Sequence, residues 1–311
     1  MAEFLYPSYV LSDDRETYLT ELTNKSYKTF VKTIALDDVN LIEQHVDTLL
    51  QELSQRDVNV KALTSLDKLY MLLCVRSYCI APTIIFSTKI DKRNSEGKRE
   101  QIKTDVPLNL NEVLNRLGNY PIKHKYKFNE QQITVQGTLP KKFYYKTILE
   151  VAADSLSMVK LPSGSAMHLH QYTLHEKTEI LNKLPSSLLS KIIDFLRDQE
   201  TILKEDSLIK FNTDIELPFG NSMDLHLYNG TVGEIIKLLF NTDLKELYTS
   251  EYTLMRRFKF TFAAIQTCTP AELSVYYEII HKDLEREKQE MQEQQRSSEG
   301  PNIAPPQNLG T

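Results

Sequence analysis

The apolar period of this chain changes twice, and no other feature restricts its fold as much. Up to Ala81-Pro82 the apolar residues recur at helical spacing; between Thr83 and Pro140 they alternate in short runs broken by polar turns; from about Lys146 helical spacing returns. A helical bundle has no place for the alternating middle, and a β-sandwich has none for the flanks. The pattern predicts an α+β fold, a mostly helical chain with a small antiparallel β-sheet in the middle and a C-terminal helical region. The expected divisions are residues 1–82 helical, 83–145 a sheet with a basic face, 146–292 mainly helical, and 293–311 a disordered tail.

Residues 13 to 80 read as helical, with Asp13 and Glu16 spaced as an N-terminal cap. Leu36-Asp37-Asp38 breaks the pattern before a helix carrying Ile42, Val46, Leu49, Leu50 and Leu53. Another starts near Thr64-Ser65 and ends near Ala81-Pro82, because the residue before proline avoids helical angles. TIIFSTKID, REQIKTDVPLNL, YPIKHKYKFN and QQITVQGTLP read as four antiparallel strands, with a short helix near Leu110 to Leu117. In KHKYKF, Lys123, Lys125 and Lys127 share one face, and His124, Tyr126 and Phe128 the other. Beyond Lys146, Leu188, Leu189, Ile192, Ile193 and Leu196 form one stripe, and a strand pair is expected at Leu208–Ile215 and Met223–Leu227. Thr231 with Glu234 and Thr269 with Glu272 are spaced as capping boxes. The last helix is expected to bury Leu273, Tyr276, Tyr277, Ile280 and Leu284, then lose its apolar stripe in LEREKQEMQEQQR.

Composition removes several function classes. Nine glycines in 311 residues are about half the usual ~7% share. Phosphate-cradling loops need glycine where backbone approaches ligand, and no GxxxxGK[ST], GxGxxG or GxSxG occurs. No run approaches the ~20 apolar residues of a membrane span, and no signal peptide is evident, so a cytoplasmic protein without membrane partners is expected. Cys74, Cys79 and Cys268 read as free thiols. The net charge of −5 hides a division: residues 89–146 hold 13 Lys and Arg against 6 Asp and Glu, and the remainder holds 24 against 36. Such a split suits self-association or an oppositely charged partner.

The segment MHLHQYTLHEK brings His168, His170 and His175 together and raises the question of a metal centre. YTLHE, however, is a capping box of Thr173 and Glu176, which places His175 in a helix's first turn, where the dipole disfavours a cation. A zinc site needs a third and usually a fourth ligand, and no cysteine or carboxylate pair accompanies these rings. Loop histidines are the better reading. Arg76, after LYMLLCV, suits either a partner's carboxylate or its own helix's last carbonyls, and the second is favoured. LPKKFYYK interleaves Lys141, Lys142 and Lys146 with Phe143, Tyr144 and Tyr145, as single-strand nucleic-acid platforms do. In an acidic chain without a recognisable binding motif, a loop with its aromatics in the core is the stronger reading.

In order, these pieces resemble the baseplate hub and hub-assembly proteins of T-even-like contractile-tailed bacteriophages. SLDKLYMLLCVRSYCIAPTIIF carries the first likeness through Asp67, Leu69, Leu72, Arg76 and Ser77, although Tyr78, Cys79 and Ile80 stand where the family often has a glycine. VPLNLNEV, HEKTEILNKLPSSLLSKIIDFL, and the stretch from LKELYTSEYTLMRRF through TFAAIQTCTPAELSVYYEII continue it, the last through Pro270, Glu272 and Tyr276. The resemblance implies a non-enzymatic protein without cofactor, metal ligand or catalytic residue. It would act through contacts with other hub or tail proteins, in the host cytoplasm during assembly and in some members in the virion. The residues expected to meet a partner are Arg76, Lys123, Lys125, Lys127, Lys141, Lys142, Tyr276 and Leu284. The alternative is a nucleic-acid-binding protein using the basic sheet face.

Overall fold

The computed structural model describes residues 5–54, 58–93, 99–206, 208–217, 220–226 and 232–298. The chain opens with a hairpin rather than a helix: β1 (Leu5–Val10) pairs antiparallel with β2 (Arg15–Thr20). The expected cap at Asp13 and Glu16 is thereby corrected. Asp14 has φ 55°, and the Asp13 carboxylate accepts the Arg15 N–H at 3.1 Å, so these aspartates make the hairpin turn. Aspartate tolerates left-handed angles and bonds nearby backbone, which suits turns as well as caps. Ser8, Val10, Thr17 and Leu19 form the buried face of the hairpin.

Helix α1 (Asn24–Ala35) is capped by Thr23, and α2 (Val39–Leu53) by Asp38, which accepts from the N–H groups of Asn40 and Leu41. The break at Leu36-Asp37-Asp38 therefore falls where the sequence places it. Helix α3 (Ser65–Cys79) starts at a complete Thr64/Asp67 capping box. Asp67 also accepts the Ser12 N–H at 2.9 Å, tying the hairpin turn to the helix start. Nearly every α3 side chain is buried, which explains its lack of a polar face.

The four strands read from the middle all form, but in two sheets. β3 (Thr83–Arg93) and β4 (Arg99–Asn109) make a separate antiparallel pair, followed by α4 (Leu110–Gly118). β5 (Lys125–Glu130) and β6 (Ile133–Thr138) continue, across α5 (Ile148–Ser155), into β7 (Leu156–Lys160) and β8 (Ala166–His168). Their order is β5-β6-β7-β8. Helices α6 (Leu174–Asn182) and α7 (Ser186–Asp206) follow. α7 lays Phe195 on Tyr126 and Phe128, with ring centroids 5.1 and 6.4 Å apart.

The expected strand pair forms as β9 (Leu208–Leu217) and β10 (Gly220–His226). Helix α8 (Val232–Leu239) comes next; its expected cap, Thr231, lies outside the described residues. The chain closes with α9 (Leu244–Phe258), α10 (Phe262–Thr267) and α11 (Pro270–Ser298). Helix α11 runs past the expected boundary at 292, and residues 299–311 lie outside the described set. Among the described residues no helix is long and apolar enough to cross a membrane.

Most buried apolar side chains, from Val10 to Phe240, form one core. Leu254, Ile265, Leu273 and Ile280 form a second, small core among α9, α10 and α11. The three cysteines are free.

Lys177 of α6 is a buried cation whose ammonium donates to the Leu156 carbonyl at 3.2 Å. Burial lowers its pKa below the usual lysine value, with the Asp154 charge opposing. Between the folded and unfolded pKa values the unfolded chain holds more protons, so this position adds stability as pH rises through that window. Lys177→Met is expected to raise stability by about 1 kcal/mol near neutral pH and to remove that rise. Urea melts at pH 7 and pH 10 measure both.

Candidate functional site

The histidines do not converge. β8 ends at His168 and residues 169–171 form a 3₁₀ turn, so the strand alternation that would set His168 and His170 on one face is broken. His175 lies in the first turn of α6, above the Thr173/Glu176 capping box, and meets Glu179 at 3.5 Å on the surface. All three side chains are exposed. Among the described residues, no group of three or more His, Cys, Asp or Glu is placed to hold a metal ion.

LPKKFYYK is a clamped loop. One oxygen of Asp154 accepts the Lys141 N–H at 2.6 Å, the Lys142 N–H at 3.2 Å and the Tyr145 hydroxyl at 2.6 Å. One oxygen of Glu43 accepts the N–H groups of Phe143 and Tyr144 at 2.7 and 3.2 Å. Phe143 is buried, and the Tyr144 ring packs against the Lys237 ammonium, 5.6 Å from its centroid. Burial and then the Asp154 charge hold the Tyr145 phenol far above its usual pKa. Phe143 is a core group, while Tyr144 and Tyr145 are half-buried and held in place by the loop's own bonds. Lys142 remains exposed, and Lys141 is half-buried. Asp154→Ala strands two backbone donors and a hydroxyl, so it is expected to cost about 2 kcal/mol in a urea titration.

Arg76 is spent inside the chain. Its Nε donates to the Leu239 carbonyl at 3.0 Å and its Nη1 to the Ala81 carbonyl at 2.9 Å. The guanidinium thus joins the end of α3 to the end of α8 and remains half-buried. Desolvation lowers its pKa.

The basic stretch emerges as read. Lys123, Lys125 and Lys127 are exposed, while Tyr126 is buried with its hydroxyl 2.9 Å from Ser155 Oγ. β5 is the edge of its sheet, and its lysines oppose Thr138 and Gln136 rather than acids. Leu284 packs against the small C-terminal core. Tyr276 does not share that burial: it stays 39% exposed, with only its ring against Phe260. Helix α11 buries a stripe too narrow to include it.

A junction that the sequence does not advertise joins the two ends of the chain. Lys28 of α1 and Glu251 of α9 pair at 2.7 Å, both nearly buried. Glu251 also accepts from Asn24 Nδ2 at 2.6 Å and Gln266 Nε2 at 3.4 Å. The Tyr248 and Phe262 rings flank Lys28, each centroid 5.3 Å from its nitrogen. In a second pair, buried Lys68 meets half-buried Asp47 at 2.7 Å, and the Lys68 ammonium also donates to the Lys141 carbonyl at 3.1 Å.

The geometry therefore offers exposed cationic and aromatic surfaces on a firmly cross-braced body. Comparison with curated proteins and with solved structures gives no match. The family model described as T4 bacteriophage base plate protein matches residues 1–206, about two thirds of the chain. The match runs from the N-terminal hairpin to the end of α7. The chain belongs to the T4 bacteriophage base plate protein family.

Proposed function

We propose that the protein serves the base plate as a hub subunit or hub-assembly factor, acting by protein–protein contact and without a catalytic step. The family match over residues 1–206 carries this reading. On this reading the protein works in the host cytoplasm during assembly, with hub and tail proteins as its partners. Two surfaces are assigned to those contacts: the β5 edge with Lys125 and Lys127, together with Lys123 just before it and with Lys141 and Lys142, and the exposed side of α11 with Tyr276. Unopposed lysines on an edge strand discourage edge-to-edge pairing between copies and favour an acidic partner.

Co-expression with each tail and hub protein of the same phage genome, followed by size-exclusion chromatography, tests the reading. A stable complex with at least one is expected, and none with any would refute it. Reversing Lys123, Lys125 and Lys127 to glutamate is expected to shift stability by only about 0.5 kcal/mol per site, because exposed substitutions cost little. The same variant is expected to weaken that complex by roughly tenfold or more.

A further inference from the structure

Helix α9 carries an exposed stripe of aromatic and cationic side chains. Lys245, Tyr248, Tyr252 and Arg256 recur at i, i+3, i+7 and i+11, on one face. Tyr248 is 44% and Tyr252 54% exposed. Lys32 of α1 adds its ammonium over the Tyr248 ring at 5.4 Å. Arg256 donates to the Tyr252 hydroxyl at 3.0 Å and lies over its ring at 5.8 Å. Across Lys28 from Tyr248 stands Phe262, 56% exposed.

Cations dominate this face, although exposed Asp243 caps the helix start at the Lys245 N–H and exposed Glu246 follows Lys245 in the chain. Lys32, Lys245 and Arg256 are cationic. The nearby acid Glu251 is turned inward and neutralised by Lys28. The helix dipole accounts for Arg256 in the last turn, but it opposes Lys245 in the first. Tyrosine and arginine are the side chains that most often anchor interfaces, because they bury large area at little entropic cost. Here each ring is already held beside a cation, so the anchors are pre-arranged.

We propose that this stripe docks an acidic segment of another base-plate protein, about three helical turns long, the length from Lys245 to Arg256. The proposal rests on the base-plate reading. A second copy is the wrong occupant, since a two-fold contact through this face would set cations against cations. Nucleic acid fits less well, because the chain as a whole is acidic, with net charge −5. The stripe lies beyond the residues 1–206 that the family model matches.

A photo-crosslinking residue, p-benzoylphenylalanine, placed at Tyr252 of the full chain during phage infection tests the proposal, with Leu36, also exposed, as the control position. The expected result is a cross-link from position 252, absent from position 36, to a net-negative segment of another base-plate protein. Lys245→Glu with Arg256→Glu, a pair of exposed changes that leaves the melting temperature in place, is expected to reduce its yield about tenfold. Cross-links to nucleic acid, to a second copy or to a basic segment would overturn the proposal. So would no cross-link from 252 while the chain co-sediments with base-plate assemblies, a result that leaves the base-plate reading standing. Absence of the chain from those assemblies would overturn both.

Discussion

Glu251→Leu is expected to cost about 3–5 kcal/mol and to release α9, α10 and α11 from the body, because it leaves the buried Lys28 ammonium without its counter-charge. The carboxylate removed also accepts from Asn24 and Gln266, so two amides lose a partner with it. The second core offers little compensation, with four buried apolar residues. The main core lies elsewhere and remains. Hydrogen exchange is therefore expected to accelerate across residues 244–284 and the first turn of α1, with α2 and α3 unchanged. Adding Lys28→Met to Glu251→Leu is expected to recover most of the loss, since an apolar pair avoids the desolvation that the ion pair suffers. A single substitution costing less than about 1 kcal/mol, with unchanged exchange, would show that the junction does not hold the C-terminal helices.

Gly137→Ala carries the second large effect. A Cβ at this strand position would stand 2.3 Å from the Tyr126 ring and 2.4 Å from the Ser155 carbonyl oxygen. The ring is held by Ser155 Oγ and packed on Phe195, and the carbonyl belongs to the backbone entering β7. The register of β6 on β7 shifts at this residue, which brings the two backbones close. Overpacking of this kind costs about 3 kcal/mol or more. Urea denaturation is expected to show that loss. Truncating Tyr126 as well is expected to rescue none of it, because the carbonyl clash remains and a core ring is gone.

The elements legible in the sequence were those whose signals are local. Helices start at Asp38 and Thr64, where the sequence marks a break and a helix start, and Leu188, Ile192 and Leu196 bury the stripe that their period draws. The first hairpin was not legible, because Asp13 and Asp14 suit a turn as well as a cap. Nor was β7: LSMVK is a short apolar run that follows a helix without a break, and such runs do not reveal their state. The division of the four middle strands into two sheets depends on pairing with β7, far along the chain.

The candidate surfaces divide in the same way. Exposure of Lys125 and Lys127 follows from strand alternation, and the inward role of Arg76 from its place near a helix end. The buried lysines are the opposite case. Lysine is rarely buried without a partner, and Lys28 finds its partner 223 residues away. The Lys245 to Arg256 stripe was hidden because its spacing reads as an ordinary solvated helix face until α1 brings Lys32 against it.

The central claim is that this chain works inside the base plate by contact alone. Its most direct test is quantitative mass spectrometry of base-plate-sized assemblies from infected cells, measured beside purified particles. The account predicts peptides of this chain in the assemblies at a fixed ratio to other base-plate proteins. Presence in particles as well would identify a hub subunit, and absence from particles an assembly factor. Expression of the chain without its appearance in either fraction would contradict the account.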